Sequence, residues 1–403
     1  MPRLAEAIRG PAPTAAGLRG PAEWDLGLLG VAALLSLVGL VAVYSASITI
    51  AAQNLGNSEY YLQRQATYLG VGVFIGYLVS QTRLILWHRL AGAMVLAATF
   101  LLLLILVPGV GIEVNGASRW LGFGGVRVQP SEFAKLAFLM FTAARLSEAD
   151  TPELLRERMG VILVGLGIVG VLLLAEPDFG SFVVLAAATG GLLFLYGVGW
   201  HYIIAALATG AMAIAALAVA APYRMARLTN FLDPWQDPFG AGFQLTQALI
   251  AFGRGGWSGV GLGNSVQKLF YLPEAHTDFL LAVVAEELGL LAVLGIIGLF
   301  SFLVVRAFAI GRNAAANGDG FAALMAYGIG LMLGFQAFVN LGVNMGVLPT
   351  KGLTLPLMSY GGTSLVMSCL QIALLLRIDH EQRARRGVSG APGMTGPARR
   401  GRS

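Results

Sequence analysis

Apolar residues fill this chain in blocks, and the blocks have the length of a membrane crossing. Runs of roughly 17–25 predominantly apolar residues suffice for a helix to span a hydrocarbon layer. Such runs fall at 26–48, 65–80, 90–107, 131–147, 159–176, 180–198, 200–221, 278–305, 321–346 and 361–378. The second, fourth and fifth are the least sharply bounded. Short polar stretches part them, with no fixed-period repeat and no soluble domain between. The pattern predicts an all-α polytopic membrane protein of about ten transmembrane helices.

Composition agrees, since 57% of the 403 residues are hydrophobic and only 12% are charged. The 54 glycines suit helices that pack through small residues in a bilayer. A formal charge of +5 could suggest nucleic acid, but the basic residues are scattered between apolar runs and gathered in the two tails. Topology explains them better. With the N-terminus inside, Arg3, Arg9, Arg19, Arg83, Arg89, Arg145, Arg156, Arg158, Arg306, Arg312 and the tail arginines from Arg377 onward all face the cytoplasm. Both termini are therefore expected there, with a long extracytoplasmic loop, 222–277, between the seventh and eighth helices. That loop is rich in glycine and aromatics and is expected to fold back on the helices. Residues 1–25 and the Arg-rich stretch 379–403 are expected to be disordered tails around a membrane domain at 26–378. The first run is too long for the core of a cleaved signal peptide and reads as a retained anchor. The lone cysteine, Cys369, excludes an intramolecular disulfide and reads as a small packing residue.

Four polar constellations gather on the expected outer side. In "PEAHTDFLLAVVAEELG", Asp278 opens an apolar helix just after His276 and Thr277. A carboxylate in a first turn faces the positive end of the helix dipole, with Thr277 as a candidate cap. The plainer reading is a helix-terminal charge. Glu286 and Glu287 lie about 12 Å further in at 1.5 Å per residue. Charges there cost about 2.5–3.5 kcal/mol each on insertion scales, so they should face protein, a cavity or a cation. Adjacent residues do not share a helical face, so one should face the cavity and the other pair sideways.

In "NGASRWLGFGGVRVQPSEFAK", Glu132 and Lys135 stand at i and i+3 as a candidate ion pair, with Arg119 and Arg127 in the preceding loop. "EPDFG" sets Glu176 and Asp178 in one tight turn. "NLGVNMGVLPTKGLTLPLMSYGGTS" breaks a helix with prolines and glycines, and crowds Asn340, Asn344, Thr350, Lys351, Ser359 and Tyr360. Irregular polar backbone at membrane depth is tolerated where it is buried or lines a wet cavity. The chain carries no P-loop, no dinucleotide-binding glycine motif, no HExxH or CxxC spacing and no GxSxG elbow. ATP-driven transport and zinc or serine hydrolysis are disfavoured on that ground.

With "VYSAS" at Val43, then "QPSE", "EPDFG", "HTDF", "AEELG" and "SYGG" in order up to about Arg386, the chain resembles the SEDS family (shape, elongation, division and sporulation) of ten-helix bacterial membrane proteins. The stretch "NMGVLPTKGLTLPLMSYGG" looks more like the division branch than the elongation branch. Ser118 and Thr363 depart from the family's frequent "GARRW" and "GGSS", while Arg119 and Gly362 stay in place. The resemblance implies a peptidoglycan glycosyltransferase that polymerises lipid II in the inner (cytoplasmic) membrane. Its implied partners are a class B penicillin-binding transpeptidase (FtsI-like) and other divisome proteins at the septum, and no nucleic acid.

By the resemblance Asp278 is the catalytic residue. One base suffices to deprotonate an acceptor 4-hydroxyl when a lipid pyrophosphate leaves, whereas a glycosidase needs two flanking carboxylates. Substrate contacts are expected from Arg119, Arg127, Lys135, Glu132, His276, Lys351 and Ser359, and support from Glu286, Glu287, Glu176 and Asp178. No cofactor is implied outright, and acids here could hold a divalent cation, Mg or Mn. Intramembrane acids and broken helices also fit a lipid II flippase or other transporter, and a scaffold is the third reading.

Overall fold

The structure is a computed structural model that describes residues 24–114, 117–123, 126–202, 231, 233–240 and 242–389. Helices account for most of it: α1 (Leu26–Leu55), α2 (Tyr60–Gln81), α3 (Leu84–Ile105), α4 (Pro130–Ser147), α5 (Pro152–Ala175), α6 (Phe179–Tyr196), α7 (Phe243–Gly255), α8 (Leu280–Ala316), α9 (Gly320–Asn344) and α10 (Gly362–Ser389). Nine of these, all but α7, coincide with expected spans. Residues 203–221 of the expected seventh span, and the N-terminal stretch up to residue 23, lie outside the described residues. Among the described residues seven helices, α1, α3, α5, α6, α8, α9 and α10, are long and apolar enough to cross a membrane. The chain is a multi-pass membrane protein.

Burial explains why α4 can carry Glu132 and Lys135: nearly every residue from Pro130 to Leu146 is enclosed by protein rather than lipid. With α9 and α10 it forms the centre of the bundle, while α3 and α5 turn most of their apolar surface outward. Two polar ends close the bundle. At one, Asp25 pairs with Arg306, Arg377 with Glu381 at 2.8 Å, and Arg385 with Asp319 at 2.8 Å. The other end holds all four sequence constellations.

Two features differ from expectation. Residues 379–389, expected to belong to a disordered tail, continue α10, with Asp379, Glu381 and Gln382 buried and the arginines paired four residues along the helix. Residues 111–128, expected as loop, form a three-stranded antiparallel sheet of β1 (Gly111–Val114), β2 (Ala117–Phe123) and β3 (Val126–Val128) in the order β1-β2-β3. Val114 pairs with Ala117 and Phe123 with Val126, so each strand pair is in antiparallel register up to its last described residue.

The loop before α8 is bonded into the helix itself. Gly289 interrupts α8 with φ 77° and ψ −176°, a conformation open essentially to glycine. The interruption frees the helix backbone for the loop. Val260 and Gly261 donate to the carbonyls of Glu286 and Glu287 at 3.0 Å, and Leu290 and Leu291 donate to those of Gly256 and Trp257 at 2.9 and 3.2 Å. A Cβ at Gly289 would collide with the Gly259 amide. Gly289→Ala is therefore expected to destabilise the protein by at least about 1–3 kcal/mol in strain, read as a lowered unfolding midpoint in detergent. An unchanged midpoint would contradict this packing.

Candidate active site

Asp278 is fixed by its backbone. Its carbonyl accepts from Asn340 Nδ2 and Asn344 Nδ2, each at 2.9 Å, and Asn344 Oδ1 accepts from the Ala282 amide at 3.1 Å. Two asparagines one turn apart on α9 thus hold the entry of α8, and Asn344 rather than Thr277 caps that helix. Thr277 Oγ1 donates instead to Glu274 Oε2 at 2.8 Å. The expectation that Asp278 lies in the first helical turn is corrected: α8 begins at Leu280, with Phe279 as its boundary residue. The Tyr360 amide donates to the His276 carbonyl at 3.0 Å, tying the broken stretch before α10 to the same loop.

Opposite Asp278 stands Arg119, presented by β2. Its Nε donates to the Glu176 carbonyl at 3.1 Å and its Nη2 to the Pro177 carbonyl at 2.6 Å. The remaining nitrogen turns toward Asp278 across Gly352: a Cβ at Gly352 would lie 3.1 Å from Asp278 Oδ2 and 3.8 Å from Arg119 Nη1. Only a residue without a side chain leaves that space open. Asp178 closes the floor, accepting from Ser131 Oγ at 2.7 Å, Gln129 Nε2 at 3.3 Å and the Ser181 amide at 3.2 Å. Thr363 accepts from the Gln129 amide at 3.0 Å, so this departure from the family pattern keeps a hydroxyl with a structural role.

The electrostatics at Asp278 run against the pull expected from a helix dipole. Burial, then the Glu274 carboxylate, push the Asp278 carboxyl up to about 7, against the pull of Arg119 and with a further push from Asp178. A base titrating near neutral pH is matched to proton transfer there. Burial also lowers His276 below its ordinary imidazole value, with Glu274 opposing, which favours the neutral ring. That ring packs between Tyr61 and Tyr360, with centroids 4.4 and 5.5 Å away.

The remaining predicted residues divide. Lys351 lies over the Phe179 ring, 4.3 Å from its centroid, on the turn that carries Asp178. Arg127 is exposed on β3. Lys135 is fully enclosed, bonded to Glu132 at 2.9 Å and to Gln336 Oε1 at 2.8 Å, while Gln336 Nε2 donates to the Thr354 carbonyl at 3.1 Å. Ser359 is buried too, accepting from the Leu355 amide at 3.0 Å. Both support the broken stretch from within. Removing Lys135 alone leaves a buried carboxylate uncompensated, which costs about 3–5 kcal/mol. Lys135→Ala is thus expected to unfold early, and Glu132→Lys/Lys135→Glu to recover part of the loss; additive losses would contradict the pairing.

Neither glutamate of "AEELG" faces Asp278, contrary to expectation. Glu286 pairs with Arg254 at 2.8 Å and accepts from Ser265 Oγ and the Val266 and Gln267 amides. Glu287 pairs with Lys268 at 2.8 Å and accepts from Ser45 Oγ at 2.7 Å. Both neutralise cations of the folded-back loop. Sequence reasoning missed Arg254, Lys268, Ser45, Ser265 and Gln336 as members of these networks. Ser45 and Gln336 were detectable as polar residues within apolar runs. Among the described residues no three His, Cys, Asp or Glu side chains converge in one place.

The model of the FtsW/RodA/SpoVE family, described as cell cycle protein, matches residues 26–384. The chain belongs to this family. It is 54% identical over 370 residues to a probable peptidoglycan glycosyltransferase FtsW of Nitrosococcus halophilus, covering 90% of this chain and 95% of that one. Identity to the protein of the same name from Legionella pneumophila is 48% over 362 residues, covering 89% and 92%. Two solved members share the fold. A chain in a peptidoglycan synthase complex, described as structurally coordinating polymerization and crosslinking, is similar at TM-score 0.74 and 33% identity over 89% of this chain and 98% of that one. The rod shape determining protein RodA of Thermus thermophilus is similar at TM-score 0.65 and 28% identity over 89% and 97%.

Proposed function

We propose that this chain is a peptidoglycan glycosyltransferase that polymerises lipid II, with Asp278 as its base. The observation that carries the reading is a half-buried carboxylate, pushed up to about 7, facing an arginine across the gap that Gly352 leaves open. Asp278 takes the proton of the acceptor sugar's 4-hydroxyl. That oxygen attacks the donor's anomeric carbon from the face opposite the lipid diphosphate, with inversion. The new carbon–oxygen bond forms as the bond to diphosphate breaks, and the electron pair departs with undecaprenyl pyrophosphate, which needs no protein acid. Arg119 and Lys351 supply positive charge where the diphosphate's charge grows. Holding the two sugars in register supplies much of the rate.

The site end of the bundle faces the extracytoplasmic side in this reading, with ten crossings and both termini in the cytoplasm. A class B penicillin-binding transpeptidase of the FtsI type works beside the chain at the septum, with other divisome proteins. The test gives purified protein, with its transpeptidase partner, labelled lipid II and reads product length on a gel. Polymer is expected. Transbilayer movement of lipid II in vesicles without polymer would replace the reading with a flippase, and neither activity would leave a scaffold.

A further inference from the structure

Glu176 is an acid at the site end that the mechanism leaves without a task, and its surroundings are unusual. It is 1% exposed, and neither carboxyl oxygen has a hydrogen-bond partner among the described residues. An ionised carboxylate so placed would lose its hydration with nothing in return, a cost of several kcal/mol, which such groups escape by keeping their proton. A guanidinium is at hand but is not spent on it. Arg119 gives two nitrogens to the backbone carbonyls of Glu176 and Pro177 and turns the third toward Asp278.

The charged groups around Glu176 come from each neighbouring element. Asp178, at the start of α6, is already bonded to Ser131 and Gln129 beside α4 and to the Ser181 amide of its own helix. Arg119 comes from β2, Asp278 and Glu274 from the loop before α8, and Lys351, over Phe179, from the stretch before α10. Arg119 is the cation that bears on Glu176, and Asp178 is the acid that does. Burial and Asp178 push the Glu176 carboxyl up to about 8 in spite of Arg119.

We propose that Glu176 is a positioning residue that works as a neutral acid, keeping Arg119 on the turn's carbonyls with its third nitrogen turned to the substrate diphosphate. Loss of the proton creates a buried anion beside the guanidinium. Arg119 is then drawn to the carboxylate and away from Asp278 and the diphosphate. The inference rests on the glycosyltransferase reading for its consequence, but not for the protonation state.

Two measurements test it. Infrared difference spectra of the full-length Asp278→Asn protein, titrated from about pH 6 to about pH 9.5, are expected to show one carboxylic-acid band titrating near 8, absent when Glu176→Gln is added. An unchanged set of bands would overturn the proposal without touching the enzyme reading. In the polymerisation assay, the rate is expected to fall about tenfold per pH unit above about 8, with KM for lipid II rising. Glu176→Gln, a conservative variant with no proton to lose, is expected to support polymerisation without that alkaline limb. A purely structural role would leave the limb in the variant as it is in the parent, and identical limbs would overturn the proposal.

Discussion

Replacing Asp278 with asparagine is expected to lower lipid II polymerisation by about 10²–10⁴-fold, the share that a positioned general base contributes. Asparagine keeps the shape and leaves the backbone clamp from Asn340 and Asn344 intact, because those bonds reach the Asp278 carbonyl and not its side chain. Stability separates lost chemistry from lost fold. The Asp278 carboxyl titrates near 7 in the folded protein, above its ordinary value. The folded chain therefore binds more protons than the unfolded one between about pH 4 and 7, and stability falls as pH rises through that window. At pH 8 the charge is a penalty that asparagine removes. The variant is expected to melt above the parent at pH 8 and level with it near pH 4. Polymer at the parent's rate would remove Asp278 from its role, and a lower melting point at pH 8 would contradict the electrostatic account.

The second large effect concerns the loop's anchor. Glu287→Ala leaves Lys268, which is 4% exposed, with the Gly263 carbonyl at 2.7 Å and the Ser45 hydroxyl at 3.1 Å but no counter-charge. Breaking one side of a buried pair costs about 3–5 kcal/mol. The loop from Gly255 to Asp278 is bonded to α8 on both flanks of Gly289, so loss of this anchor reaches the base. Glu287→Ala is expected to lower both the unfolding midpoint in detergent and the polymerisation rate, and adding Lys268→Met to restore part of the stability. A loss under about 1 kcal/mol would show that the pair does not hold the loop.

Much of this was legible in the sequence because a bilayer imposes run length, and run length alone located nine of the ten described helices, all but α7. The four constellations were legible for the same reason: polar residues are costly at membrane depth, so each marks a place where protein encloses them. What stayed hidden depends on partners far along the chain. Nothing local says that Glu286 meets Arg254 and Glu287 meets Lys268, or that Gly289 breaks a helix that its apolar flanks propose. The sheet of β1, β2 and β3 was hidden because its strands are too short for alternation to stand out. The end of α10 was illegible from composition, since a buried helix with paired charges and a solvated charged tail use the same residues. The raised Asp278 carboxyl comes from burial and from Glu274, which only the folded loop sets beside it.

The pH dependence of kcat/KM for lipid II polymerisation reports ionisation of the free enzyme and so reads Asp278 itself. The account predicts a rate that rises about tenfold per pH unit below about 7 and levels off just above it, following the Asp278 carboxyl. A profile flat from about pH 5.5 to about pH 7.5 would contradict it.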